Sequence, residues 1–409
     1  MNAAMPVSRR IEFALLALLA FSLPLAEAPK NILAVLYVVT WLVNRSDGDW
    51  GGPWRQWDTL FLAWGLSAYL MAPFAGLPRN EWAGAHDLPR IAFICWIASR
   101  GRYSDRAWRT LMAVIAASTA LALAQGLWRL HVTRTFSELE LESVGHVNHS
   151  AIYLAIAFGV AFAGFVAAWR ARRHAAGAAW GAAALFFIAG VIDGASRGAF
   201  AVSVVLAVLL VACAIHRSRW RLATIVVLAA VCAAIVLSSD LEIGRKQQRN
   251  VEAKNLAAFR MQIWDRGLLA WRHMPFAGVG LENFGQISDA NVRAWLAQDG
   301  KAIDAHAYVQ NSHGHSLYVN TLVERGLVGS LPVVLLIISW AVLLARTRPG
   351  PDSDETDFLV WGASFSGWFV VVAGGLINTT LHHEHGLLAA ILLGMHLAYC
   401  RSQPPPEGP

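Results

Sequence analysis

Two arginines and several histidines stand where polar sequence meets apolar sequence, a position that suits chemistry on a membrane-bound substrate. Arg197 interrupts an apolar stretch, and a charge at membrane depth costs several kcal/mol unless it is paired or wetted. The arginine side chain suits phosphate, because its planar guanidinium donates two hydrogen bonds at once and stays charged. A salt bridge to Asp193, four residues earlier on the same helical face, is the structural alternative.

Arg260 belongs to a second candidate segment. Apolar residues recur at helical spacing from Leu256 to Trp271, which predicts an amphipathic helix. Arg260 is predicted to bind substrate, together with Trp264 and Arg266 of the same segment. An interfacial helix that rests on lipid headgroups, with Arg260 only solvated, accounts for the spacing equally well. Downstream, a proline and two glycines predict the end of this helix and a tight turn: Pro275, Gly278 and Gly280.

His315 lies at the start of another predicted helical segment. A neutral imidazole can take a proton from a hydroxyl near pH 7, although a lone histidine at this position is more often a helix-capping or interfacial residue. His313 and His149 are predicted to contact the same substrate. The alternative of a metal site would use His306, His313 and His315, with the stretch 382–385 approaching in space. No acidic residue stands at a recognised metal spacing, so the sequence predicts no metal.

The composition places these residues in a membrane protein. Of the 409 residues, 56% are apolar and only 15% are charged, whereas soluble proteins carry about a quarter charged residues. Apolar runs of roughly 17–22 residues recur, and each can cross a hydrocarbon core about 30 Å thick. The fold class is therefore an all-α polytopic membrane protein. The four cysteines lack a CxxC spacing, which argues against a disulfide framework or a zinc site. The net charge of +6 does not indicate nucleic-acid binding, because the arginines cluster beside apolar runs.

Twelve spans are predicted, and they divide the chain into four parts. The first part, 1–239, holds spans one to nine, 240–315 is a large polar loop with amphipathic helices, 316–400 holds spans ten to twelve, and 401–409 is a tail. The spans are predicted near 11–27, 31–43, 58–75, 88–99, 107–128, 150–169, 177–195, 198–215, 222–239, 316–345, 358–377 and 385–400. In the tenth, an amphipathic first half is expected to precede the true span, which begins at Leu327.

The distribution of arginine predicts the orientation of these spans. Alternate loops are rich in arginine and the opposite short loops are poor in it, which predicts that both termini are cytoplasmic and that the loop 240–315 lies outside. Residues 11–28 also resemble a signal peptide with a small-residue cleavage site. A first transmembrane helix is the preferred interpretation, because further spans follow at once.

Three short motifs together resemble a known family. They are Ser196-Arg197-Gly198 before a span, Arg260-x3-Trp264 followed by Pro275-x2-Gly278-x-Gly280-x3-Phe284, and His315-Ser316 followed after nine residues by Gly326-x-x-Gly329. In this order they resemble the bacterial O-antigen ligase family, which also covers related O-antigen polymerases. The predicted spans, with one large loop between the ninth and tenth, agree with the same family.

The resemblance implies a GT-C-like glycosyltransferase of the bacterial inner membrane, with its active site facing the periplasm. Such an enzyme moves O-antigen from undecaprenyl diphosphate to the lipid A–core in lipopolysaccharide biosynthesis, without a cofactor, a nucleotide sugar or an essential metal. By this resemblance Arg197 and Arg260 would neutralise the diphosphate, and His315 would position or deprotonate the acceptor hydroxyl. Direct displacement would invert the anomeric carbon. The expected partners are the lipid-linked donor, the lipid A–core and membrane lipids, and no nucleic acid.

Three other functions remain open at this level. An O-antigen polymerase shares the donor and the arginines, but its acceptor is another lipid-linked repeat unit. A transporter or flippase for the same lipid would need polar residues deep in several spans on both sides of the midplane, whereas here the titratable groups crowd one face. A membrane-embedded binding or scaffold protein is the third alternative.

Overall fold

Helices form all the regular secondary structure in the part of the chain that the structure describes. This computed structural model describes residues 7–45, 48, 50–214, 258–302 and 307–403. The helices, numbered over these residues, are α1 (Val7–Ser22), α2 (Glu27–Val43), α3 (Gln56–Met71), α4 (Glu81–Gly84), α5 (Asp87–Ser99), α6 (Asp105–Leu127), α7 (Val147–Arg170), α8 (His174–Asp193), α9 (Arg197–Ala214), α10 (Ala258–His273), α11 (Asp289–Gln298), α12 (Leu317–Arg346), α13 (Glu355–Gly374) and α14 (His383–Ser402).

Every predicted span within the described residues falls on a helix, and the span predicted at 222–239 lies outside them. Six of the described helices are long and apolar enough to cross a membrane: Asp105–Val132, Val147–Arg170, His174–Asp193, Arg197–Ala214, Leu317–Arg346 and Glu355–Gly374. The other five predicted spans, α1, α2, α3, α5 and α14, are helical but fall short in length or apolar content. The all-helical membrane class is thus confirmed, and the number of twelve crossings stays a prediction.

Two helices, α7 and α14, lie at the centre of the packing. Nearly every residue of each is buried, and α7 packs against α8, α9 and α13, while α14 packs against α5 and α13. Small residues allow this close approach. Gly362 of α13 lies against Ala163 of α7, and Gly394 of α14 lies against the backbone of α5 at Cys95. The two helices begin at the same end of the molecule, and each has a histidine as its N-cap residue, His146 for α7 and His382 for α14.

Buried ion pairs join the ends of the outer helices. Glu12 of α1 pairs with Arg45 after α2 and accepts a hydrogen bond of 2.7 Å from the Tyr103 hydroxyl before α6. At the other end of α2, Lys30 pairs with Glu384 of α14. A carboxylate that loses such a partner would remain as an uncompensated buried charge. The first pair therefore joins α1 to the end of α2, and the second holds the start of α2 against α14.

Helix α12 is interrupted at Gly326, whose φ of 61° and ψ of −167° are not helical. Four backbone hydrogen bonds replace the helical ones that the break removes. All four join α12 to the turn after α10: Val279 N–H to Val323 O at 2.8 Å, Gly280 N–H to Glu324 O at 3.0 Å, Leu327 N–H to Pro275 O at 2.8 Å, and Val328 N–H to Phe276 O at 3.1 Å. The break falls immediately before Leu327, where the sequence predicts the true span to begin.

The described parts of the predicted loop 240–315 pack as a small layer on α12. Helices α10 and α11 share a core in which Ile263, Phe284 and Trp295 are buried together with Val323 of α12. Helix α10 covers the described part of the segment predicted to be an amphipathic helix, and it ends at His273, shortly before the predicted breakers. This layer fixes the position of Arg260 relative to the start of α12.

The break at Gly326 yields a prediction about stability. Its backbone conformation is essentially restricted to glycine and costs other residues about 1–3 kcal/mol, and an added Cβ would also collide with the Phe276 carbonyl. We therefore expect Gly326→Ala to lower the midpoint of thermal unfolding of the detergent-solubilised protein, followed by tryptophan fluorescence. Gly177→Ala on α8 is the matched control, since its Cβ would meet only ordinary contacts at 3.9 Å. Equal midpoints for the two variants would contradict this account of the break.

Candidate active site

Arg197 and Arg260 line one cavity of about 480 Å³. Arg197 is the first residue of α9, and Arg260 lies in the first turn of α10. Burial lowers the pKa of Arg260, and the positive charge of Arg197 lowers it further, so the two guanidinium groups are close enough to repel each other. Since the described residues that line this cavity include polar Ser196, Asn148 and Asn378 but no carboxylate, the cavity has the electrostatics of an anion site.

The N-terminus of α9 contributes further to this character. Residues 196–199 line the cavity around the start of the helix, where unpaired backbone N–H groups and the helix dipole favour a negative ligand. The turn before it is tight, because Ala195 has a φ of 50°. Asp193, the alternative partner of Arg197 that the sequence offered, has its carboxylate 2.9 Å from His131 Nε2. Arg197 is thus held at a helix N-terminus that faces the cavity.

The segment that carries His315 is anchored from two sides. Trp264 of α10 donates a hydrogen bond of 2.7 Å from Nε1 to the Gly314 carbonyl. On the other side, the Leu317 N–H donates to the Gly375 carbonyl at 2.8 Å, and Ser316 caps α12. His315 itself has a φ of 46°, an uncommon backbone conformation for a residue other than glycine. Such strain persists only where the surroundings impose it, and here both anchors do.

The environment of His315 keeps its imidazole neutral. Burial, followed by the electrostatic influence of the neighbours His313, Arg260 and His146, lowers the pKa of His315 to about 4. The amide of Asn311 lies 3.3 Å from His315 Nε2, and the His313 and His315 rings are 4.2 Å apart between centroids. His315 lies near the arginine cavity, because the Leu317 N–H donates to the carbonyl of Asn378, which lines that cavity, and Gly314 is hydrogen-bonded to Trp264, one turn along α10 from Arg260. At pH 7 the imidazole can accept a hydrogen bond, but it is a weak base in this state.

A second cavity of about 280 Å³ lies among the histidines. His149, His313, His382 and His383 line it, and the His149 ring is 5.0 Å from that of His382 between centroids. Burial, then His146 and His383, lower the pKa of His313 as well. The two predicted substrate contacts His149 and His313 therefore share one cavity, close to His315.

The metal alternative gains no geometric support within the described residues. They contain no group of three or more His, Cys, Asp or Glu side chains placed to hold a metal ion, and His306 lies outside them. Glu384, the acidic residue in the histidine stretch 382–385, is paired with Lys30 instead.

The structure places Arg266, which the sequence predicts to bind substrate, away from both cavities, and its role stays a prediction. Its side chain is only 1% exposed and donates hydrogen bonds to the carbonyls of Ile287 and Tyr308, at 2.8 and 3.1 Å, and to Asp289 at 2.6 Å. Arg266 lines neither cavity, and it stabilises the layer that holds α10 and α11. Trp264 also lines neither cavity and acts on the site through the Gly314 carbonyl.

Two asparagines at the site were missed by the sequence analysis. Asn311 contacts His315 Nε2, and Asn378 lines the arginine cavity while its carbonyl accepts the Leu317 N–H at 2.9 Å. Asn311 lies four residues before His315, so its nearness to the histidine motif was a usable signal. Asn378 offered no such signal, because it reaches the site only through the packing of α13 against α7.

Comparison with known proteins agrees with this arrangement. Residues 182–334 match the protein-family model described as O-antigen ligase. A search of curated proteins finds no match to the chain. The matched region holds Arg197, Arg260, His313, His315 and the break at Gly326, so the resemblance drawn from the motifs is confirmed. Over residues 182–334, the chain is similar to the O-antigen ligase family.

Proposed function

We propose that this protein transfers O-antigen from undecaprenyl diphosphate to a sugar hydroxyl of the lipid A–core. The observation that carries the proposal is that Arg197 and Arg260 line one cavity, and that the segment carrying His315 is anchored to α10 and to Asn378 next to it. The match of residues 182–334 to the O-antigen ligase family model supports a lipid-linked glycan as substrate. We place this reaction at the periplasmic face of the inner membrane, as the arginine distribution predicts.

In the proposed reaction, the acceptor oxygen bonds to the anomeric carbon as the bond from that carbon to the diphosphate oxygen breaks. Negative charge then develops on the leaving diphosphate. Arg197 and Arg260 stabilise this charge, because a buried guanidinium donates strong, charge-assisted hydrogen bonds to phosphate oxygens. The hydroxyl proton leaves towards His315 or solvent. A single displacement of this kind inverts the anomeric carbon.

His315 fits a role in which it first orients the acceptor. Its neutral imidazole accepts a hydrogen bond from the hydroxyl and so directs the oxygen lone pair at the anomeric carbon. The bound diphosphate is negative, and a nearby opposite charge favours the protonated form of an imidazole. Donor binding therefore raises the pKa of His315 from its resting value and makes it a better proton acceptor. The histidine-lined cavity next to it is the proposed position of the acceptor sugar.

An O-antigen polymerase is the second candidate, since it would use the same donor and the same arginines. Purified protein with lipid-linked O-antigen and rough lipopolysaccharide separates the two functions. Transfer onto lipopolysaccharide identifies a ligase, and longer lipid-linked chains identify a polymerase. A transporter is less suited to the geometry, because Arg197, Arg260 and His315 lie at one end of the helices and not on both sides of the midplane.

The arginine assignment predicts a large loss of activity on substitution. Arg197→Ala and Arg260→Ala should each lower kcat for glycan transfer by about 100- to 1,000-fold, the loss seen when one donor that stabilises transition-state charge is removed. Arg197→Lys should recover little, because an ammonium group cannot reproduce the two-pronged contact. Arg272→Ala is the control, since Arg272 is exposed on the same helix as Arg260 and lines neither cavity. Normal transfer by both alanine variants at matched expression would refute the assignment.

The two neighbouring histidines should differ in their effect on transfer. His315→Ala should lower transfer by about 100-fold or more, within the range of a residue that handles the acceptor proton, while donor binding stays largely intact. His313→Ala should cost less than His315→Ala, because His313 lines the acceptor side and not the arginine cavity. A loss of only a few-fold for His315→Ala would indicate positioning without proton transfer. Inactive His313→Ala beside active His315→Ala would show that the wrong histidine was chosen.

The pH dependence gives an independent check on His315. The dependence of kcat/KM reports the pKa values of essential groups in the free enzyme, and the pKa of His315 is lowered to about 4. Because the neutral form is required, titration of His315 should leave kcat/KM unchanged from pH 7 down to about pH 5 and reduce it only nearer pH 4. An acid limb centred near 6.5, the ordinary histidine value, that disappears in His315→Ala would contradict this picture.

A further inference from the structure

A third cavity, of about 1,140 Å³, lies at the end of the helices opposite the candidate active site. Helices α5 and α14 connect the two regions: each begins beside the histidine-lined cavity and ends at this one. The 20 residues of α14 span roughly 30 Å at the rise of an α-helix. A ligand bound here would therefore be far from the proposed transfer reaction.

Seven arginines line this cavity, and no carboxylate does among the described residues around it. They come from four separate parts of the chain: the start of α1, the segment before α3, the connection from α5 to α6, and the end of α14. The seven are Arg9, Arg10, Arg55, Arg100, Arg102, Arg106 and Arg401. The arrangement concentrates positive charge from distant sequence positions in one concave site.

A carboxylate that contacts two of the lining arginines, Asp58, is already engaged. Asp58 is fully buried, accepts a hydrogen bond of 2.8 Å from Trp96 Nε1 and pairs with Arg100 at 2.8 Å. Arg401 lies 4.0 Å from the same carboxylate, and its Nη2 atom is buried without a hydrogen-bond partner in the part of the chain that the structure describes. One carboxylate therefore serves two arginines, which leaves the positive charge at this wall only partly balanced.

Membrane orientation alone does not account for this arrangement. The positive-inside rule needs only an excess of Lys and Arg in the loops on one side, and exposed arginines such as Arg172 and Arg348 meet that need without facing the cavity. Large apolar side chains are exposed next to the lining arginines: Val7 on α1 is 71% exposed, and Trp54 beside Arg55 is 57% exposed. An anionic headgroup beside apolar surface is the chemistry of a phospholipid.

The geometry points to a binding site in this cavity for the phosphate headgroup of an anionic phospholipid. By the arginine pattern, this end faces the cytoplasm, so the lipid belongs to the inner leaflet. The guanidinium groups donate to the phosphate oxygens, and the acyl chains lie against the exposed apolar residues of α1. Free phosphate shares the headgroup chemistry but not the acyl contacts, which gives a means of telling the two sources apart.

Native mass spectrometry of the delipidated full-length protein tests this site with phosphatidylglycerol as the probe. Each arginine near a membrane surface contributes about fivefold to anionic-lipid affinity. Arg102→Gln/Arg106→Gln should therefore weaken phosphatidylglycerol binding by about 10- to 30-fold. Arg172→Gln/Arg348→Gln removes two exposed arginines outside the cavity and should change the affinity less than threefold. Arg9→Gln/Arg10→Gln, on a different wall, repeats the test if the first variant fails to fold.

Two further probes decide the source of the ligand. Phosphatidylethanolamine, which is zwitterionic, should bind more weakly than phosphatidylglycerol and should respond little to the cavity variants. Inorganic diphosphate should displace phosphatidylglycerol only at much higher concentration. Equal losses in the cavity and control variants would overturn the site, because general surface charge would then explain binding. Diphosphate that binds as tightly as the lipid would overturn the lipid assignment in favour of a soluble phosphate.

Discussion

The exchange of backbone hydrogen bonds at Gly326 is the constraint on which the site depends. A helix that breaks within apolar surroundings leaves amides and carbonyls without partners, which is costly away from water. The turn at 275–280 donates two backbone hydrogen bonds to carbonyls of α12 and accepts two from its N–H groups. Four backbone groups next to the break therefore have partners. The two glycine-containing motifs, which are far apart in the sequence, are therefore two halves of one structural unit.

This unit determines where the chemistry lies. The turn directly follows α10, and its hydrogen bonds to α12 fix α10 against that helix. The distance from Arg260 to His315, which immediately precedes the start of α12, is therefore fixed as well. The Trp264 hydrogen bond to Gly314 adds a second link between the same two segments. Arg197 comes from the other side, on α9, and completes the cavity. Three residues from separate motifs thus meet because backbone pairing joins their helices.

Helices were predicted well from the sequence, and tertiary partners were not. Apolar runs and their flanking charges predicted α7 at 150–169 where the structure has Val147–Arg170, and they anticipated the change of direction before Leu327. Arg266 shows the limit. Its type and position matched Arg260, yet its partners at residues 287, 289 and 308 bury it. Periodicity identifies which residues share a helical face, but it does not identify what lies opposite them.

The nearness of Arg260 to His315 connects substrate binding to proton transfer under the proposed function. In the free protein, burial and positive neighbours, Arg260 among them, hold the pKa of His315 at about 4, so the imidazole is neutral but weakly basic. A bound diphosphate neutralises Arg260 and adds negative charge, and both changes raise that pKa. Proton transfer is most efficient when the pKa of the base approaches the working pH. Donor binding therefore makes His315 a better proton acceptor for the acceptor hydroxyl. By reciprocity, protonation of His315 strengthens donor binding.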